Sequence, residues 1–227
     1  MRLVSWNIHG GVGRDGRRDL DRVARVLREA RCDAAALQEV GDPHRSVQGE
    51  DRSHEVADHA AHLGKLLGWY VAYGPTLVLA GRPYGNAVLS RHPIVRVRNY
   101  DLSVRGHEPR GCLRADLDLG GRALHLFNLH LGLSGGERRR QAAMLLSADL
   151  LRDAARLAGV RQATWPAKFP LLRLDRAYVD AAIEVLGCAV LESAEARLAS
   201  DHLPLWMELR PRLETFATAP GPAAAPQ

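Results

Sequence analysis

The sequence predicts one mixed α/β domain, and three stretches of the chain carry that prediction. Residues 113–119 and 122–131 alternate apolar and polar side chains, and the Gly120-Gly121 pair between them is typical of a tight β-hairpin turn. Residues 19–30 instead repeat apolar side chains at helical spacing, with arginines on the opposite face. A chain of 227 residues with 46% hydrophobic side chains is long enough to bury one core around both kinds of element.

The second strand of this hairpin ends in polar side chains on a face that begins as apolar. Leu124 and Leu126 share that face with Asn128 and His130, because side chains two residues apart on a strand point the same way. A face that starts in a core and ends in an amide and an imidazole is typical of a strand that reaches a functional site. We therefore expect His130 at the end of a long hairpin arm inside a larger sheet.

The N-terminal part of the chain predicts two further strands that end in polar groups. Residues 3–8 are a strand candidate with Asn7 near its end. Residues 33–40 are another, in which alternation places Glu39 on the same face as Leu37. The acidic group of Glu39 would then close an otherwise buried strand.

The remaining elements are assigned from alternation, helical periodicity and breaks at Gly or Pro. Helices are expected around residues 54–67 and over residues 137–157. The other strand candidates are residues 69–73, 76–80, 84–90, 94–100, 174–180, 183–191 and 203–209. Residues 1–210 would form the domain, and residues 211–227 have the Ala/Pro-rich composition of a disordered tail.

Composition excludes some classes of protein and leaves others open. No apolar run approaches the roughly 20 residues of a membrane-spanning helix. The scattered Cys32, Cys112 and Cys188, together with an N-terminus that resembles a strand rather than a signal peptide, predict free thiols and a cytoplasmic protein. The net charge of +5 fits an anionic partner such as nucleic acid or a phosphorylated substrate, but a genome-wide preference for arginine over lysine explains it equally well.

Several of the predicted strands begin or end in side chains that are able to act in catalysis. These side chains are Asn7, Glu39, His130, Asp175, Asp201 and His202. If the last strand runs antiparallel to its neighbours, its beginning meets their ends at one edge of the sheet. Each residue alone is more often structural than functional, and their recurrence at strand ends is what predicts a single site.

At this point the chain resembles the endonuclease/exonuclease/phosphatase superfamily, the DNase I-like phosphoesterases. The resemblance rests on short motifs in the order of the family: VSWNIHGG (4–11), LQEV (37–40), GNAVLSRHPI (85–94), LFNLHLG (126–132), RLDRAYV (173–179) and SDHLPL (200–205). It implies a four-layer α/β sandwich, in which two mostly antiparallel sheets pack face to face with helices outside. It also implies a phosphate-ester substrate, with nucleic acid among the candidates. We expect a monomer.

The resemblance further implies a metal site. Glu39 would be the chief ligand of a Mg²⁺ ion, or of Mn²⁺, and Asn7 would assist it. Asp201 would be a further acidic or metal-binding group. Oxygen donors and a carboxylate suit such a hard cation, which keeps several of its own waters.

Catalytic and substrate-binding roles are implied in the same way. His202 would be the general base that takes a proton from water, because an imidazole titrates near neutral pH. Asp175 would orient or support a histidine. His130 would donate a hydrogen bond to the phosphate, and Asn86, with Asn7, would help to position it.

One motif of the family is missing. The family carries an Asp-x-Asn signature on the strand after the helix that follows the His130 motif, and no such tripeptide occurs in this sequence. A helix, a loop and a strand need on the order of 30 residues, and RLDRAYV begins too soon for all three. The simplest interpretation is an internal deletion. In the alternative, residues 144–150 form the replacement strand, Asp149 stands for the missing Asp, and Leu151 lies where the Asn belongs.

The missing motif leaves three hypotheses open. The first is a Mg²⁺-dependent phosphoesterase with impaired turnover, since the loss of one transition-state contact typically lowers a rate by ~10²–10³. A missing strand would also leave backbone groups unpaired and lower the stability. The second is a catalytically inactive family member that binds a phosphorylated ligand or a partner. The third is an arginine-rich nucleic-acid-binding module, although no base-reading motif or aromatic ladder supports it.

Overall fold

Two β-sheets pack face to face in the structure, a computed structural model that describes residues 1–41, 59–79, 82–145 and 151–212. The strands are β1 (Arg2–Asn7), β2 (Ala34–Gly41), β3 (Tyr70–Leu79), β4 (Arg82–Ser90), β5 (Ile94–Asp101), β6 (Gly111–Asp118), β7 (Ala123–Leu129), β8 (Arg152–Asp153), β9 (Tyr178–Val179), β10 (Ile183–Val190) and β11 (Leu205–Pro211). The helices are α1 (Leu20–Glu29), α2 (His59–Leu67), α3 (Gly135–Leu145), α4 (Ala154–Leu157) and α5 (Ala194–Ala199). This mixture of two sheets and a few helices confirms the predicted fold class.

The strand order brings several strand ends to one edge of the molecule. The larger sheet has the order β10-β11-β1-β2-β4-β3, and the smaller has the order β5-β6-β7. Strands β1 and β2 are parallel, whereas β11 runs antiparallel to β1 and β4 runs antiparallel to β2. The ends of β1 and β2 therefore lie beside the beginnings of β11 and β4. We call this the site edge.

One face of the larger sheet is covered by helices. Helix α1 begins after Asp19, whose side chain accepts a hydrogen bond from the backbone N–H of Arg22, as an N-cap residue does. Its fully buried Val23 and Leu27 pack against Trp6 of β1. Buried residues of α2 and α5 belong to the same core. The helical pattern predicted over residues 19–30 is confirmed.

The other face of the larger sheet packs on the smaller sheet. Leu3 and Val88 from the larger sheet contact a core that includes Leu113 and Leu117 of β6. The predicted hairpin between β6 and β7 is confirmed, since the two strands pair antiparallel across the Gly120-Gly121 turn. Both glycines have positive φ, which a side chain at either position would disfavour.

The structure corrects two predicted elements between residues 137 and 180. The predicted helix over residues 137–157 is interrupted: α3 ends at Leu145, and Arg152–Asp153 forms the short strand β8. Residues 146–150, which include the proposed stand-in Asp149, lie outside the described residues. The strand predicted over 174–180 is reduced to Tyr178–Val179, because the preceding backbone bonds to Thr164 instead of to a neighbouring strand.

Strand β7 occupies a different position from the one expected. It was predicted inside a larger sheet, but in the described part of the chain it pairs with β6 alone and therefore ends its sheet. Phe127, on the outer face of β7, is 45% exposed. An edge strand presents unpaired backbone donors and acceptors along its free side.

Other expectations concern the thiols, a membrane span and the C-terminus. The three cysteines are free, as predicted. Within the described ranges, no helix is both long and apolar enough to cross a membrane. Strand β11 ends at Pro211, and residues 213–227 of the predicted tail lie outside the described part of the chain.

Candidate functional site

A bulge in β2 positions Glu39 at the site edge. Leu37 and Val40 pair with residues only two apart on β4, so Gln38 and Glu39 together face the single residue Asn86. Glu39 also has a left-handed φ of 55°, which is uncommon for a residue with a side chain. Because a bulge re-aims the side chains that it contains, Glu39 does not share the helix-covered face of Leu37, and that prediction was wrong.

The Glu39 carboxylate is held by two neutral donors. The Asn7 side-chain amide donates to Oε1 at 2.7 Å, and the Tyr84 hydroxyl donates to Oε2 at 2.7 Å. His130 approaches more loosely, with Nδ1 3.8 Å from Oε1. Burial alone would raise the pKa of Glu39, but the hydrogen bonds from Tyr84 and Asn7 lower it below its usual value. The carboxylate is therefore ionised at neutral pH.

The orientation of the Asn7 amide is fixed on both sides. Its Oδ1 accepts the backbone N–H of His9 at 2.9 Å, while its Nδ2 donates to Glu39. The reverse orientation would place oxygen against oxygen and N–H against N–H. Asn7 thus orients the carboxylate with its nitrogen, and its oxygen keeps one lone pair for any other contact.

The second half of the site is an Asp–His pair. His202 Nδ1 lies 2.9 Å from Asp175 Oδ2, and Asp175 is buried (8% exposed). The indole N–H of Trp6 donates to the His202 carbonyl at 3.0 Å, which fixes the backbone there. Burial alone would lower the pKa of His202, but the hydrogen bond and the charge of Asp175 raise it.

Ser200 and Trp165 connect Asp201 to the rest of the site edge. The Ser200 hydroxyl donates to the Asn7 carbonyl at 2.8 Å, so the start of the last strand lies at the end of β1. The Asp201 carboxylate accepts the Trp165 indole N–H at 3.2 Å. The Trp165 ring also faces the His202 ring, with the centroids 6.5 Å apart.

The Glu39 half and the His202 half lie on the same side of the molecule. The negative charges of Asp201 and Glu39 both act on His202. The positive charge of His202 in turn acts on His130, whose pKa is lowered chiefly by burial. The structure thus brings together Asn7, Glu39, His130, Asp175, Asp201 and His202.

Sequence comparison identifies the family of the chain. The model of the Endonuclease/Exonuclease/phosphatase family matches residues 4–202. The chain belongs to this family. An uncharacterized protein of Escherichia coli K12, YbhP, is 31% identical over 243 aligned positions, which cover 92% of this chain and 96% of the relative.

Solved structures of other proteins superpose on nearly the whole chain. An endonuclease/exonuclease/phosphatase from Beutenbergia cavernae matches with a TM-score of 0.76 at 25% identity, over 93% of this chain and 71% of that chain. Truncated TDP2 from Caenorhabditis elegans matches with a TM-score of 0.65 at 20% identity, over 91% of this chain and 96% of that chain. The second likeness concerns the fold alone. Together with the family match, they confirm the resemblance drawn from the motifs.

Asn86, for which the family resemblance implies a phosphate contact, lies in the interior. It is only 1% exposed, and its side-chain amide donates to the Gly111 carbonyl at 3.1 Å. This bond joins β4 of the larger sheet to β6 of the smaller. In this arrangement Asn86 connects the sheets, and a phosphate contact stays a prediction.

Sequence reasoning missed three side chains at this edge: Tyr84, Trp165 and Arg110. Arg110 is 7% exposed, donates from both terminal nitrogens to Glu108, and leaves its buried Nε without a partner among the described residues. Its charge acts on His130 and on Tyr84. Tyr84 had one available signal, since it begins the strand candidate 84–90. In the structure this strand runs antiparallel to β2, and Tyr84 pairs with Gly41 at the end of β2.

Metal binding by this edge would depend on Glu39. No arginine or lysine of the described residues pairs with its carboxylate, which leaves a partly buried negative charge without a fixed cation. Within the same residues, no cluster of three or more His, Cys, Asp or Glu side chains is able to hold a metal ion. A carboxylate with oxygen-bearing neighbours would suit Mg²⁺, which takes one or two carboxylates and keeps several waters, rather than Zn²⁺, which prefers nitrogen and sulfur ligands.

Proposed function

We propose that the protein is a divalent-metal-dependent phosphoesterase that hydrolyses a phosphate ester with water. The observation that supports this most strongly is that a buried carboxylate and a His–Asp pair lie at the same edge of the larger sheet. One half is an ionised, neutrally hydrogen-bonded Glu39, and the other is His202 paired with Asp175. An anionic metal ligand beside a His–Asp pair suits attack of water on phosphorus.

His202 would act as the general base. Since Nδ1 faces the Asp175 carboxylate, a proton on Nδ1 would donate to that carboxylate and would leave Nε2 as the acceptor. Nε2 would take a proton from the attacking water as the new P–O bond forms and the ester P–O bond breaks on the opposite side. Asp175 would orient the ring and stabilise the imidazolium.

The other residues of the edge would bind the ion and the phosphate. Glu39, with Asp201 and Asn7 as further candidates, would hold Mg²⁺ or Mn²⁺, and the ion would stabilise negative charge on the phosphate oxygens. His130 would donate a hydrogen bond to the phosphate. Asn7 would keep the Glu39 carboxylate in place through its amide nitrogen.

The missing Asp-x-Asn motif supports slow turnover. The open side of β7 in the described residues fits the loss of a neighbouring strand. The same observation favours a second candidate function, an inactive family member that binds a phosphorylated ligand. Hydrolysis at the rates of ordinary enzymes (~1–10³ s⁻¹) would contradict both slow turnover and inactivity.

The test is hydrolysis of bis-p-nitrophenyl phosphate and of plasmid DNA, with and without Mg²⁺ or Mn²⁺, together with calorimetric titration of each ion. We expect Glu39→Gln to abolish both ion binding and hydrolysis. We expect His202→Ala to lower hydrolysis by ~10²–10⁴ while ion binding is retained. Wild-type protein that binds the ion and a phosphate ester without turnover would favour the second candidate.

Control variants outside the site edge distinguish the loss of a site residue from the general loss of a carboxylate or an imidazole. Glu208→Gln removes a carboxylate from β11, and His125→Ala removes an exposed imidazole from the outer face of β7. Neither should change hydrolysis or ion binding. If Glu39→Gln and His202→Ala behave like these controls, the proposal is wrong.

A further inference from the structure

Exposed apolar side chains are concentrated in one loop next to the site edge. We define the apolar loop as residues 165–174, which lead from Trp165 towards Asp175. Among its large apolar side chains, Phe169 is 67% exposed, Leu171 is 78%, Leu172 is 50% and Leu174 is 51%. Such a concentration is unusual on a soluble surface and marks an interaction site.

The backbone of the apolar loop is well fixed, so the exposure is not that of a fraying segment. The Trp165 carbonyl accepts N–H groups from both Leu171 and Leu172, and the Leu172 carbonyl accepts the Trp165 N–H. Ala167 donates its N–H to the Asp201 carbonyl at 2.7 Å. The loop thus forms a small closed turn that is fastened to the site edge.

The charged residues within the apolar loop and in the segment leading to it are all basic. No acidic residue occurs between Asp153 and Asp175, a stretch that contains Arg156, Arg161, Lys168 and Arg173. Arg173 pairs with Asp153, but Arg161 and Lys168 form no ion pair with any described carboxylate. Lys168 lies over the Phe169 ring at 5.4 Å, with its charge beside the most apolar part of the loop.

We propose that the apolar loop is a membrane-docking surface that seats the protein on an anionic phospholipid bilayer. Leucines and a phenylalanine flanked by unpaired cations are the composition of segments that insert into the headgroup region. The alternative of a single-stranded nucleic acid fits less well, because stacking on bases needs aromatic faces and most of these side chains are aliphatic.

The position of the loop extends this inference to the substrate. Because Trp165 contacts both Asp201 and His202, the docked face lies beside the catalytic groups proposed above. A phosphoester whose apolar part remains in the bilayer would reach the site edge without leaving the membrane. This extension, a lipid phosphoester as substrate, rests on the proposed function, whereas docking itself does not.

Vesicle co-sedimentation of the full chain tests the docking. The vesicles contain phosphatidylcholine alone or phosphatidylcholine with phosphatidylglycerol. We expect binding to the anionic vesicles, and we expect the double variant Phe169→Ser/Leu171→Ser to bind at least about tenfold more weakly. Lys168→Gln should weaken binding to the anionic vesicles about fivefold and leave the weak binding to neutral vesicles unchanged.

The matched control is Val78→Ser/Val95→Ser, which removes two apolar side chains that are 64% and 62% exposed elsewhere on the surface. It should bind vesicles like the wild type. The docking proposal is wrong if the wild type does not bind anionic vesicles, or if the two double variants lose binding equally. It is also wrong if Phe169 and Leu171 are needed to bind a single-stranded oligonucleotide and the protein does not bind vesicles.

Hydrolysis of soluble bis-p-nitrophenyl phosphate keeps the two proposals distinct. Phe169→Ser/Leu171→Ser should leave this hydrolysis unchanged, which also shows that the variant is folded. It should lower hydrolysis of a phospholipid in anionic vesicles. Vesicle binding by a protein that hydrolyses neither ester would support docking and contradict the proposed function, whereas hydrolysis of the soluble ester without vesicle binding would do the reverse.

Discussion

The two sheets differ in how much of each is covered. The larger sheet is packed by helices on one face and by the smaller sheet on the other, and its central strands contain many fully buried side chains. The smaller sheet has three strands, a partly exposed outer face and, in the described residues, an open side along β7. The larger sheet therefore positions Glu39 and the start of β11 on well-packed strands, while His130 follows directly after β7, the edge strand of the smaller sheet.

Asn128 connects these two unequal parts. It is 2% exposed, and its amide donates to the carbonyls of Leu37 at 2.7 Å and Ala87 at 2.8 Å. Its Oδ1 accepts the Gln38 side-chain amide at 2.7 Å. The bulge that contains Glu39 is thus held partly by a side chain of the smaller sheet, so the smaller sheet contributes to the geometry of the larger one.

The largest expected effect tests the difference in packing. Leu89→Ala in β4 removes a fully buried side chain of the larger sheet and should lower the free energy of unfolding by about 2–5 kcal/mol. Leu126→Ala in β7, where the leucine is only partly buried, should cost about half as much. Urea denaturation of both variants measures the two values. Equal losses would mean that the smaller sheet is as well packed as the larger.

The next effect tests the connection between the sheets. Asn128→Leu removes the side-chain donor of two buried carbonyls, and each group left unsatisfied costs about 1–3 kcal/mol, whereas the Gln38 amide keeps its bond to the Ala36 carbonyl. We expect a loss of about 2–4 kcal/mol in stability, somewhat reduced by the apolar replacement, and a fall in hydrolysis because Glu39 follows Gln38 in the bulge.

The control for this effect is an exposed amide. Asn99→Ala removes a single hydrogen bond to the Pro75 carbonyl on β3. It should cost less than about 1 kcal/mol by the same denaturation measurement and leave hydrolysis unchanged. An Asn128→Leu variant with wild-type hydrolysis would show that the bulge keeps its shape without the smaller sheet.

The sequence predicted those features that depend on local pattern. The alternation of Leu124, Leu126, Asn128 and His130 gave the correct inner face of β7, and Gly-Gly gave the correct turn. The bulge at Glu39 could not be predicted, because nothing in the run AAALQEVG marks a break in the strand and the distortion arises from pairing with β4.

Contacts between segments that are distant in the sequence could not be predicted either. Trp165 contacts Asp201 because its loop is closed by backbone hydrogen bonds and is bonded to residues 201–203, which are distant in the sequence. The run at 174–180 has an apolar pattern compatible with a strand, but its backbone donors are used by Thr164. Local periodicity specifies which face is apolar, whereas tertiary pairing decides which backbone partner is present.

A smaller effect compares two arginines, one directly before strand β6 and one in the middle of it. Arg110 precedes β6 at the site edge, and Arg114 lies on the exposed outer face, paired with Asp116. We expect Arg110→Met to lower hydrolysis about 10–100-fold, equivalent to about 1.4–2.7 kcal/mol, because a buried guanidinium with a free donor is suited to a phosphate oxygen. Arg114→Met removes the same charge and should leave the rate unchanged. Equal rates for both variants would place Arg110 outside the substrate site.

The smallest expected effect on stability concerns the short two-stranded sheet that β8 and β9 form. Asp153 caps α4 by accepting the N–H groups of Ala155 and Arg156, and it pairs with Arg173. Burial alone would raise its pKa, but the hydrogen bonds from Arg173 and from α4 lower it below 3.8. A lowered folded-state pKa means that the stabilisation is complete above the unfolded value and is lost as the pH falls through the folded value.

Asp153→Asn should therefore lower the free energy of unfolding by about 1 kcal/mol at neutral pH, and the difference from wild type should shrink in strong acid. Urea denaturation across the acidic range measures both values. Asp21→Asn is the control, because Asp21 is exposed in the first turn of α1 and pairs with no described residue. A difference from wild type that stays constant with pH would mean that the Asp153 charge contributes nothing and that the two-stranded sheet is held by its backbone hydrogen bonds and by the packing of Ala154 and Val179.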